Sequence, residues 1–187
     1  MSNDLTDVAN YWVEIDGVRF APGMTFGELL RPGFYPRSND VLTNTLGTNA
    51  SALVGVHTHD GNRIRITSTM DATVRNIGTA AITVENAIVE TLIVDISRGM
   101  DDFNNITFFN GIRLGYTTQQ EILAMFGEPR ESSETSTMIT LTYEPFWDAS
   151  FTPAVSNDLR TSGFRFTFDR ASGNLQRVRI SFATFAR

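Results

Sequence analysis

Asn110-Gly111-Ile112-Arg113-Leu114, then Thr118-Gln119-Gln120-Glu121-Ile122-Leu123, then Gly127 and Pro129-Arg130 read in order as a turn, a capped helix and a helix stop. The hydroxyl of Thr118 is spaced to accept from the backbone amide of Glu121, and the Glu121 carboxylate to reach back to the amide of Thr118. Ile122, Leu123 and Phe126 then fall on one side of about two helical turns, an apolar stripe that should pack on a sheet. Gly127 supplies the left-handed stop and Pro129 forbids continuation. The same order occurs earlier. Asp16-Gly17-Val18-Arg19-Phe20, Thr25-Phe26-Gly27-Glu28-Leu29-Leu30, Gly33 and Pro36-Arg37-Ser38 form a first copy, about half the chain away. Thr25 and Glu28 repeat the capping spacing. A repeat at this period predicts a duplicated architecture.

Strand signals surround both copies. Tyr11 to Ile15 and Val18 to Phe20 flank Asp16-Gly17, a dipeptide suited to a tight hairpin. Leu53 to Val56, Asn62 to Met70, Ala72 to Asn76, Ala81 to Glu85 and Ile88 to Ile96 follow in the first half, with Asp60-Gly61 as a second hairpin turn. Ser136 to Tyr143, Gly163 to Asp169 and Leu175 to Phe182 follow in the second, with Ser172-Gly173-Asn174 turning between the last two. Phe164, Phe166 and Phe168 alternate with Arg165, Thr167 and Asp169. Val178, Ile180 and Phe182 alternate with Arg177, Arg179 and Ser181. Such strands present one dry face and one wet face. Asn39 to Ser51 and Phe146 to Leu159 read as long polar or irregular loops. Gly99 and Asp101-Asp102 break the pattern between Ser97 and Asn105. The reading is therefore an α+β fold of two tandem helix-plus-antiparallel-sheet modules. Residues 1–10 are a polar lead-in, 11–98 the first repeat, 99–103 a linker and 104–187 the second repeat. The halves are free to share one sheet.

Composition narrows the chemistry. The chain has 187 residues, 41% hydrophobic and 19% charged, which suits a globular core. No apolar run approaches the ~18 residues of a membrane-spanning helix. The opening Met1-Ser2-Asn3-Asp4 does not read as a signal peptide, although a mature form with its leader removed would look the same. Cysteine is absent, which excludes disulfides, thiolate metal sites and cysteine nucleophiles. All 15 basic residues are arginine. Without lysine there is no Schiff-base chemistry and no Walker-type phosphate lysine. A net charge of −6 argues against nucleic acid as a partner. No nucleophile elbow, P-loop or dinucleotide fingerprint occurs, and no cofactor is implied.

The run from Gly111 to Pro129, with Thr142-Tyr143 and the pattern from Phe166 to Leu175, resembles the β-lactamase-inhibitory-protein-like fold. The same pattern occurs in the small outer-membrane lipoproteins of the SmpA/OmlA (BamE) group and in secreted or lipid-anchored proteins of Gram-positive bacteria. The resemblance covers residues 106–182 and, through the helix motif and the strands after it, residues 12–96. It implies tandem modules outside the cytoplasm that work by protein–protein contact rather than catalysis. Inhibition of β-lactamase does not carry over, because no residues here match the inhibitory loops and the disulfides of the inhibitor have no cysteines here.

Three groups of residues are candidates for a site. His57, His59 and Asp60 could face one metal ion, because strand residues i and i+2 share a face. A metal-dependent hydrolase would follow. These are the only two histidines, however, metal sites usually take three or four ligands, and the turn alone explains Asp60-Gly61. Arg63, Arg65, Arg165, Arg177 and Arg179 occupy polar strand positions, with Arg19 and Arg113 at matching points of the two hairpins. A basic stripe that steers an acidic partner is one reading; a solvated face of weak ion pairs is the other. Phe146, Trp147 and Phe151, with Phe34 and Tyr35, are loop aromatics of the kind that anchor interfaces or complete a core. The sequence points to a non-enzymatic extracytoplasmic module that binds a protein or cell-envelope component through Arg165, Arg177, Arg179, Phe146 and Trp147. A purely architectural envelope module is the third reading.

Overall fold

The computed structural model describes residues 4–15, 17–30, 34–36, 42–60, 63–96, 106–144 and 162–182; for 8, 57–60 and 63–69 it describes the backbone. In chain order the elements are β1 (Val13–Ile15), β2 (Val18–Phe20), α1 (Phe26–Leu29), β3 (Phe34–Pro36), β4 (Thr45–Leu46), β5 (Ser51–Asp60), β6 (Arg63–Arg75), β7 (Ile82–Thr83) and β8 (Ile88–Asp95). They continue with β9 (Ile106–Phe108), α2 (Gln119–Phe126), β10 (Glu131–Glu134), β11 (Met138–Tyr143), β12 (Gly163–Asp169) and β13 (Leu175–Ser181).

An α+β pair of helix modules is not what forms. Of the described residues, 49% are strand and 15% helix, with two α-helices. The fold is largely antiparallel β. The physical reason lies in the caps. Both capping boxes form: Glu28 N donates to Thr25 Oγ1 at 3.2 Å and Glu121 N to Thr118 Oγ1 at 3.3 Å. Each start signal is followed so closely by a stop that α1 spans 4 residues and α2 spans 8. At α2 the stop is Gly127, at φ +73°, with its amide donating to Leu123 O. The α1 helix ends earlier than the sequence implied, with Leu30 as its C-cap; Gly33 lies outside the described residues. Helices this short cover a sheet but do not make a layer.

The strands of both halves join in one eight-stranded sheet of order β10-β11-β12-β13-β8-β6-β5-β3, antiparallel throughout. The seam is β13 against β8, Val178 opposite Val94. A second link is the small sheet β2-β1-β9, where Val13 of the first hairpin stands between Phe20 and Phe108. The stretches read as separate strands over 62–70 and 72–76 are one 13-residue strand, β6. The stretch over 81–85 is a two-residue strand that turns into a 3-10 turn, Val84–Asn86.

One core lies on the dry side of the large sheet. Phe164, Phe166, Phe168, Val178, Ile180, Leu92, Val94, Ala72 and Val74 are at or below 1% exposure. α2 and the β1–β9 segment lie over them. Phe126 stacks on Phe166 with ring centroids 6.0 Å apart, and Tyr11 and Phe109 meet Phe164 at 4.6 Å and 5.0 Å. Each such ring contributes roughly 1.5–3 kcal/mol through burial alone. Two tyrosines fasten this cover. Tyr143 donates to Gly127 O at 2.9 Å, tying the end of α2 to β11. Burial, with Glu128 nearby, pushes the Tyr143 hydroxyl up to about 12, so it stays a donor at neutral pH. Tyr11 donates to Leu5 O, and burial with Asp4 nearby raises its hydroxyl as well. Gly163 opens β12 where the chain passes so close to the Tyr143 carbonyl that a Cβ would collide with it.

Candidate functional site

The wet side of the same sheet carries the candidate site. Alternation along β12 and β13 sends Arg165, Thr167, Arg177 and Arg179 away from the core. Register then sorts them into two rows that cross the strands. The first runs Glu131, Thr142, Arg165, Arg179, Ile93, Asp71, from β10 through β11, β12, β13 and β8 to β6. The second runs Ser133, Thr140, Thr167, Arg177, Asp95. Together with Thr135 and Met138 these residues line a groove of about 510 Å³. The volume lies within the usual range of ligand sites, ~300–1,000 Å³.

The floor is built of hydroxyls and charges. Thr142 and Thr167 are buried, and the hydroxyls of Thr140 and Thr167 are 3.3 Å apart. Arg177 is engaged. Its Nε donates to Oδ2 of the buried Asp95 at 2.8 Å, and its Nη2 reaches the same oxygen. Arg179 Nε donates to Ser181 Oγ at 3.2 Å, and Ser181 in turn accepts from Thr91. Arg165 stands directly opposite Arg179, like charge against like, an arrangement that costs a sheet a few tenths of a kcal/mol. Among the described residues, no hydrogen bond or ion pair holds the side chain of Arg165, which is half-buried, or that of Glu131 at the groove's edge.

The three arginines singled out in sequence thus meet in one groove. Arg19 and Arg113 do not join them. Arg19 pairs with Glu14 at 2.9 Å and lies over Trp12, and Arg113 lies over Tyr116. The side chains of Arg63 and Arg65 fall outside the described residues, as do Phe146, Trp147 and Phe151. Of the remaining aromatics, Phe34 is buried against Phe20 at 4.6 Å, whereas Tyr35 is exposed. The backbone of His57, His59 and Asp60 belongs to β5, with His57 opposite Tyr35 and His59 opposite Ile64. Their side chains are outside the described residues. Among the described residues no group of three His, Asp or Glu side chains could hold a metal ion.

Sequence reading missed the partners that give the arginines their setting. Asp95 ends an apolar run, and Asp71 and Glu131 carry no motif. Only the strand order brings β6, β8 and β10 beside β12 and β13. Among the described residues no helix is long and apolar enough to cross a membrane. Comparison with protein-family models, with curated proteins and with solved structures returns no match for this chain.

Proposed function

We propose that this protein is a non-enzymatic, extracytoplasmic binding module that captures a protein or envelope component on the wet face of its large sheet. The observation that supports this most is the convergence of Arg165, Arg177 and Arg179 in one groove floored by buried threonines. The groove also holds Asp71, Asp95 and Glu131, but Arg165 and Arg179 stand together at its centre and give that point of an acidic chain a local positive charge. Such a patch steers an acidic partner and fixes its register. The extracytoplasmic setting rests on the likeness of Gly111 to Pro129 to the motif of lipid-anchored envelope proteins.

Arg165 and Arg179 are the substitutions of choice. Arg177 holds the buried Asp95, so reversing its charge would damage the sheet and confuse the result. Arg165→Glu with Arg179→Glu should abolish retention of a defined protein band from the solubilised envelope of the source cells while the melting temperature stays close to that of the parent. Undiminished retention would remove the groove from the reading.

A further inference from the structure

We propose that the end of the groove between Glu131 and Arg165 is a site for a small zwitterion of the α-amino acid class, with its carboxylate on Arg165 and its ammonium on Glu131. This rests on the reading of the wet face as a binding surface and goes beyond it by naming a small-molecule ligand that shares Arg165 with the captured partner.

The groove divides into an engaged half and an open half. On β13 and β8, Arg177 is held by Asp95 and Arg179 by Ser181; Asp71 on β6 is engaged as well. On β10, β11 and β12 the polar side chains are less committed. Among the described residues, no hydrogen bond or ion pair holds the side chains of Glu131, Ser133, Thr142 or Arg165. Thr142 is nevertheless buried, so its hydroxyl finds a partner only in what fills the groove. The hydroxyls of Thr140 and Thr167 share one hydrogen bond at 3.3 Å, and whichever accepts keeps its own proton to donate.

Charge, spacing and size together select the ligand. Register places Thr142 directly between Glu131 and Arg165. The outer two are two strand spacings apart, about 10 Å between backbones, and their side chains do not pair with each other. An anion and a cation side by side on one ligand would bridge them. An α-amino acid carries both on a single carbon. The planar fork of Arg165 suits its carboxylate. Thr142, the register neighbour, adds a hydroxyl donor, and the Glu131 carboxylate accepts from the ammonium. Glu131 also repels a second negative charge, which disfavours phosphate. The groove's volume of about 510 Å³ suits a small molecule, and Met138 and Ile93 add apolar wall for a side chain.

The test titrates the full chain with L-leucine, N-acetyl-L-leucine and L-leucinamide. They share a side chain and carry both charges, the negative one alone and the positive one alone. At pH about 6.5 the free α-amino groups are protonated. Titration followed by NMR of the isotope-labelled protein should give leucine an affinity about tenfold above either derivative, the gain of one well-placed charge pair. Arg165→Gln should remove leucine's advantage over leucinamide, and Glu131→Gln its advantage over N-acetyl-L-leucine. Absence of leucine binding, equal binding of leucine and either derivative to the parent, or an advantage that both variants retain would each overturn the assignment. Such a failure leaves the capture reading standing if Arg165→Glu with Arg179→Glu still abolishes retention of the envelope partner. If leucine binds as expected and retention survives that double change, the capture reading falls and the zwitterion site stays in place.

Discussion

Arg165 and Phe166 are neighbours in the chain and opposites in every other respect. Phe166 is fully buried and touches Phe126, Tyr143 and Phe164 at centroid distances of 5.8–6.0 Å. Arg165 faces another arginine across the strand pair and is only half-buried. On the dry face, each side chain is placed where it lowers the free energy of the fold. On the wet face, two like charges stand opposite each other in register. The difference separates what maintains the molecule from what is open to a partner.

The largest effect should come from the dry face. Phe166→Ala removes the ring at the centre of the aromatic layer and should cost about 3–5 kcal/mol, read as a fall in the urea midpoint. A cost below about 1 kcal/mol would mean that α2 is not seated on the sheet. Next comes the cap that seats it. Thr118→Ala should cost about 1 kcal/mol by the same measurement, through loss of the acceptor for Glu121 N. Thr25→Ala, at the equivalent cap of the shorter helix, provides the matched comparison.

The wet face should respond in the opposite direction. Arg165→Gln removes the like charge opposite Arg179 and should raise stability by a few tenths of a kcal/mol. A destabilised Arg165→Gln protein would show that this arginine supports the fold after all. The smallest effect concerns the turn that joins β12 to β13. Backbone and hydroxyl donors of Ser172 hold the Asp169 carboxyl below its ordinary value. A depressed folded value contributes stability that is present above the unfolded value and is lost as pH falls through the folded one. The gap in urea midpoint between the parent and Asp169→Asn should therefore shrink as pH falls from about 6 to about 2. A gap that stays constant would detach that carboxyl from the stability of the turn.

Much of this was legible locally. The capping boxes at Thr25 and Thr118 and the glycine stop at Gly127 involve residues three or four apart, so sequence spacing alone determines them. Alternation along β12 and β13 likewise sorted phenylalanine from arginine, because successive strand side chains point to opposite faces. Short helices were overvalued: a well-capped start announces a helix but not its length, and here strands make up the bulk of the fold.

What the chain could not announce was adjacency. Glu131, Asp71 and Asp95 share the groove only because β10 folds beside β11 and because β8 stands between β13 and β6. Strand order is decided by how the whole apolar side is buried at once, a sum over contacts distant in sequence. Sequence alone therefore determined the caps and the two faces of each strand. Tertiary structure decided that arginines from separate strands stand shoulder to shoulder, with acids at either end of their row.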